Sequence, residues 1–154
     1  VDLSLTLCLP RDAVSVPLAR RVASQLLLSV GFLGDDVADV GVALTEACSN
    51  VLRHSEVGTE YEVRLQIEQD RVVIAVQDMG SGPPRGPADV AEEDAESGRG
   101  IPLMRALVDD LSFHIADGGS VVRMERRLRP EPGSAAAAVL LGPSVTGRDS
   151  SAPN

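Results

Sequence analysis

Aromatic side chains are almost missing from this chain. Phe32, Tyr61 and Phe113 make up 2% of its 154 residues and tryptophan is absent, so a core has to be packed from Val, Leu, Ile and Ala. Lysine is absent as well: all 14 basic residues are arginine, they face 23 acids, and the net charge is −9. Such a surface does not draw phosphate backbones to it, which excludes direct nucleic-acid binding through a broad basic face. An anionic ligand has to be held by a local device instead. Cys8 and Cys48 stand far apart and form no CxxC pattern, which predicts a reduced, cytoplasmic pair with Cys48 as a small core residue. With only His54 and His114 to join them, a zinc site is not expected. No stretch of about 18 apolar residues occurs, so no helical membrane span is expected. The first residues lack the basic and apolar regions of a secretory signal.

What is present is ordinary globular material, 44% hydrophobic and 24% charged, in a length that suits one domain. Residues 1–129 read as the folded domain. From Pro130 the composition turns to Pro, Gly, Ser and an alanine run, which predicts a flexible C-terminal tail over 130–154.

Within the domain, Leu3, Leu5, Leu7 and Leu9 alternate with polar or small residues, a half-buried strand ended by Pro10. Ser15-Val16-Pro17 reads as a helix start with a capping hydroxyl and Gly31 as its end, with Leu18, Val22 and Leu26 recurring along it. A second helix opens at Asp35-Asp36, acids suited to the positive end of the dipole. It runs to about His54, with Val37, Val40, Leu44, Ala47 and Val51 as its buried stripe. The period then changes to two over Tyr61, Val63, Leu65 and Ile67, and a more apolar strand follows over 72–77. Residues 79–97 read as a long loop, 99–108 as a helix, and 111–115 and 120–128 as strands joined by a turn at Asp117-Gly118-Gly119. The order β α α β β loop α β β predicts an α/β two-layer sandwich, with a mixed, mostly antiparallel sheet and helices on one face. A structureless loop that long inside a compact domain usually has a function.

Three patterns carry chemistry. In Glu46-Ala47-Cys48-Ser49-Asn50, positions 46 and 50 stack on one helix face. At about 100° per residue both project past the packed stripe toward a cleft. A carboxylate beside an amide oxygen suits a hydrated hard cation such as Mg²⁺, and the carboxylate can accept a proton from a hydroxyl; by itself the pair also fits a solvated helix face. Asp78-Met79-Gly80-Ser81-Gly82 ends an apolar strand. Its carboxylate can accept a hydrogen bond from the exocyclic amine of a base, and its glycines allow close backbone approach, though a plain turn has the same composition. Ser97-Gly98-Arg99-Gly100-Ile101-Pro102 opens a helix, where free N–H groups and the dipole suit phosphates and Arg99 adds a charge-assisted donor. The absence of lysine excludes a Walker loop.

In this order and spacing, the three patterns resemble those of the GHKL ATPase superfamily and, within it, the small anti-sigma-factor serine/threonine kinases. The resemblance covers roughly residues 5–128. It implies a Bergerat-like, histidine-kinase-like ATP-binding fold with ATP and Mg²⁺ as cofactors. By that resemblance Asn50 ligates the metal and Glu46 is the catalytic base toward a serine or threonine hydroxyl. Asp78 binds the adenine amine, Gly80 and Gly82 shape the base pocket, and Gly98, Arg99, Gly100 and Ile101 form the phosphate turn. Residues 83–97 become an ATP lid. That lid carries one arginine and five acids, so mobility without nucleotide and Mg²⁺-dependent affinity are expected. His54 fits either a nucleotide contact or a structural hydrogen bond, and His114 falls on the wet side of its strand. The resemblance implies a cytoplasmic transcription regulator that phosphorylates an anti-sigma-factor antagonist, sequesters a sigma factor, or both. A non-catalytic module whose nucleotide state gates partner binding is the alternative. The chain is too short to add the phosphoacceptor helices of a histidine kinase. Relatives of this kind commonly form a homodimer, though nothing in these residues requires one. Arg20 and Arg21 can meet an acidic partner or simply be solvated.

Overall fold

The computed structural model describes residues 2–54, 59–78, 100–116 and 119–141. Five strands form one sheet in the order β1-β2-β3-β5-β4: β1 Asp2–Pro10, β2 Glu60–Glu68, β3 Arg71–Asp78, β4 Asp110–Ala116 and β5 Gly119–Arg127. Every neighbouring pair is antiparallel, the limiting case of the mostly antiparallel sheet expected. Among the described residues four helices accompany it: α1 Ser15–Val30, α2 Gly34–His54, α3 Gly100–Leu107 and α4 Ala135–Leu141. None of the described helices is long and apolar enough to cross a membrane.

The period-two pattern sorts the two faces. Tyr61, Val63, Leu65 and Ile67 of β2, Val72, Ile74 and Val76 of β3, and Val122 and Met124 of β5 are buried in one cluster with residues of the helices. Alternate positions carry Glu62, Arg64, Arg71, Arg123 and Glu125, whose charges pair with one another across the other face. That division is what a sheet covered on one side produces. The stripe expected on α2 holds throughout: Val37, Val40, Leu44, Ala47 and Val51 are all buried.

α1 departs from expectation. Its buried residues are Ser15, Val16, Ala19, Ala23, Leu27 and Val30, while Leu18 is 50% exposed. Size misled the periodicity: α1 packs closely on α2, and the inward positions Ala19, Ala23, Ala43 and Ala47 are alanines that permit that approach, with Leu27 buried among them and Leu18 and Leu28 turned outward. Ala23→Leu is therefore expected to destabilise the protein by about 1–3 kcal/mol through overpacking, whereas Leu18→Ser should stay within about 0.5 kcal/mol. Urea denaturation of both variants checks this contrast. Ser15 is not the cap either. Val14 holds the cap position without a side-chain bond, Asp12 Oδ1 accepts from the Val14 N–H, and the Ser15 hydroxyl donates to the Asp12 carbonyl at 2.6 Å.

The expected flexible tail begins with ordered structure instead. Pro130 forms a bridge with Phe32, the Glu131 N–H donates to the Gly31 carbonyl at 2.7 Å, and Ser134 Oγ accepts from Ala137 N–H at 3.1 Å, capping α4. Ala136 and Ala137 are 1% and 6% exposed. A run of alanines is the best helix former, and once it docks its small side chains bury without loss of rotamer freedom. Gly31 admits the segment: it ends α1 at φ 100°, and a Cβ there would lie 2.2 Å from that of Ser134. Residues 142–154 lie outside the described part.

A second tie fixes α2. Asp36 in its first turn is buried and accepts from the Arg129 backbone N–H at 2.8 Å, from Arg129 Nε and NH2 at 3.0 and 2.9 Å, and from Arg126 NH2 at 3.1 Å. These arginine bonds outweigh burial and hold its carboxyl down at about 2.

Candidate functional site

The site is built on the C-terminal half of α2, the end of β3 and the start of α3. α2 packs against α1, α3 and β3, so residues beside its stripe are enclosed as well. Asn50 is only 5% exposed, more deeply buried than its angular offset from the stripe implies. Its Oδ1 is buried and has no hydrogen-bond partner among the described residues. An unsatisfied buried amide oxygen costs about 1–3 kcal/mol and invites an explanation such as an ion or water. Glu46, one turn earlier on the same helix, is half-buried. An amide oxygen in need of a positive partner beside a carboxylate matches the oxygen ligation of a hydrated divalent cation, so the residues present fit Mg²⁺.

Asp78 is the last residue of β3 and its side chain is 13% exposed. Arg11, just beyond β1, reaches it: NH1 donates to Asp78 Oδ1 at 3.2 Å, and NH2 donates to the Val51 carbonyl at 2.9 Å. Val51 follows Asn50 directly, so one guanidinium touches both the strand end and the turn of α2 that carries Asn50. Gly100 is buried at the first position of α3, and Ile101 packs against the core cluster. The structure thus places Glu46 and Asn50 on α2, and Asp78, Gly100 and Ile101 on the strand and the helix that pack against it. Gly80, Gly82, Gly98, Arg99 and the expected lid at 83–97 lie outside the described residues. His54 closes α2, with its side chain outside the described part. His114 is exposed, as expected, and lies 2.8 Å from Ser112 Oγ.

Beneath the site, burial pushes the Cys48 thiol up to about 12, an inert core sulfhydryl as expected. Tyr61 lies fully buried against it and is likewise raised by burial, to about 12. The Tyr61 hydroxyl meets Ser15 Oγ at 2.7 Å, and with the Ser15 proton directed to Asp12, Tyr61 is the donor. This pair of buried hydroxyls joins the start of α1 to β2. Arg11 and this cluster were not singled out by sequence. A lone arginine in a Pro-Arg-Asp turn has the composition of a solvated loop, and only its 9% side-chain exposure sets it apart.

Comparison with known proteins agrees with this geometry. A model of the histidine kinase-like ATPase domain matches residues 9–126. The serine-protein kinase RsbW of Bacillus licheniformis is 30% identical over 135 residues, covering 79% of this chain and 84% of that protein. The serine-protein kinase RsbW of Bacillus pumilus is 28% identical over 146 residues, covering 85% and 89%. A crystal structure of the RsbU and RsbW domains of a Mycobacterium tuberculosis protein superposes with a TM-score of 0.65 at 21% identity, over 84% of this chain and 34% of that one, so the two share the fold. The match runs from the end of the first strand into the last and takes in all three motifs: this chain belongs to the histidine kinase-like ATPase domain family.

Proposed function

We propose that the chain binds ATP with Mg²⁺ and transfers its terminal phosphoryl group to a serine or threonine hydroxyl of a small antagonist protein, and that in its other state it sequesters a sigma factor in the cytoplasm. The observation that carries this reading is the buried, unpartnered Asn50 Oδ1, one helical turn from the Glu46 carboxylate. Similarity to serine-protein kinases at 30% and 28% identity supports it. Phosphoryl transfer relies on positioning and charge stabilisation more than on covalent chemistry, so a site with few functional groups suffices. Asn50 would hold the metal, which would supply positive charge against the phosphates. Asp78 would accept the adenine amine. Glu46 would take the proton from the attacking hydroxyl. The buried start of α3 would offer backbone N–H groups to phosphates, together with Gly98 and Arg99 just ahead of it, while Gly80 and Gly82 would shape the base pocket.

Incubation with γ-labelled ATP and a candidate antagonist tests the reading: labelled phosphoserine or phosphothreonine is expected on the antagonist, whereas nucleotide-dependent complex formation without label would assign a gating module instead. Asn50→Ala should weaken MgATP binding by about 10–100-fold, the worth of one charge-assisted contact, and should lower transfer with it. Calorimetry beside the transfer assay measures both.

A further inference from the structure

Arg11 occupies a position that a surface ion pair does not. Its backbone N–H is bonded to the Thr59 carbonyl at 3.0 Å, which pins the chain where β1 ends and β2 begins. Its side chain is 9% exposed. From that anchor the guanidinium bonds Asp78 with one nitrogen and the Val51 carbonyl with the other. Val51 is in the last turn of α2, where carbonyls have no intrahelical donor and where the helix dipole favours a cation. Guanidinium nitrogens are held in one rigid plane, so bonding Val51 fixes the direction in which NH1 meets Asp78. A carboxylate has two oxygens and several lone pairs. It can therefore be oriented by Arg11 through Oδ1 and still receive an amine from a base.

We propose that Arg11 is a positioning residue for base recognition: it holds the Asp78 carboxylate in the orientation that accepts an exocyclic amine, and so sets the preference for adenine over a purine that lacks the amine. This rests on Asp78 being the base-recognising residue. Arg11 does not touch the nucleotide in this arrangement. It acts through Asp78, and through Val51 it ties that group to the turn carrying Asn50.

The test compares two nucleotides, MgATP and the magnesium complex of purine riboside triphosphate, which is ATP without the 6-amino group. Affinities are measured by calorimetry on the full chain for the wild type, Arg11→Gln and Arg11→Lys. The wild type is expected to prefer ATP by about tenfold, the worth of one charge-assisted hydrogen bond. In Arg11→Gln the preference should collapse to about twofold or less, mostly through weaker ATP binding, because the carboxylate is no longer oriented. An ion pair that serves stability alone would lower both affinities together and leave their ratio unchanged. An unchanged ratio in Arg11→Gln therefore overturns the proposal while leaving Asp78 in its role. No preference in the wild type overturns the role of Asp78 itself. Should Arg11→Gln fail to fold, Arg11→Lys decides. It keeps the charge but loses the planar fork, so its ratio must also fall, and a wild-type ratio there contradicts the proposal.

Discussion

Replacing Glu46 with glutamine is expected to slow phosphoryl transfer by about 10²–10⁴-fold, the usual worth of a general base, while leaving MgATP affinity within about twofold. The two halves follow from where the side chain sits. Glu46 is one turn before Asn50 on the same helix and half-buried, so it can face a hydroxyl brought to the cleft without being the group that holds the metal. Glutamine keeps the shape and loses only the capacity to accept a proton. Single-turnover transfer at saturating antagonist, measured beside calorimetric binding, separates the two effects. A rate close to wild type would remove Glu46 from the chemistry. A parallel loss of affinity would make it a nucleotide-binding residue.

Truncating Asp36 to alanine should cost about 3 kcal/mol and lower the melting temperature by about 10 °C. Asp36 is buried at the start of α2 and receives four bonds from Arg126 and Arg129. Without it the Arg129 backbone N–H loses its acceptor, and Arg126, whose side chain is 19% exposed, keeps only Asp39 and the Leu107 carbonyl among its named partners. The effect has a definite pH dependence. The Asp36 carboxyl is held at about 2 in the folded protein, against 3.8 ordinarily, chiefly by the Arg129 side chain. The unfolded chain therefore takes up the proton first as pH falls. The stabilisation is complete above about pH 5 and is lost toward pH 2, and it amounts to about 1–2.5 kcal/mol, the lower figure allowing for solvent screening at the exposed Arg129. Urea midpoints of wild type and Asp36→Ala should be separated by a constant gap at neutral pH that narrows in acid. A gap independent of pH would mean that the ion pair contributes nothing through its charge.

Much of this was legible in the chain itself, and the reasons differ by element. α2 could be read because one long apolar stripe of unlike neighbours, Val37 through Val51, leaves a single face to bury. β2 and β3 could be read because one side of the sheet faces water, so alternation is enforced. α1 misled because its contact surface selects for small side chains rather than hydrophobic ones; Ala19 and Ala23 look neutral to any hydrophobicity pattern, and Leu18 looks like core. The start of the tail misled for a related reason: Ala136 and Ala137 are buried in a segment that the Ser134 cap starts locally but that Gly31 and Phe32, remote from it in sequence, hold in place. The motif residues stood out in the sequence because their types and spacing suit a metal, a base and a phosphate, and because their order along the chain resembles that of a known family. Arg11 could not, since its meaning lies in reaching Asp78 across 67 positions and Val51 across 40, distances that no local pattern encodes.

Calorimetric titration of the full chain with ATP, in magnesium and then with the metal chelated, tests the central claim most directly, because Asn50 is held to engage the nucleotide through the metal. A binding heat that weakens by about tenfold or more on chelation, and that Asn50→Ala reduces in magnesium but leaves unchanged in chelator, is the predicted result. Binding of equal strength with and without magnesium, or no binding heat at all, would contradict it.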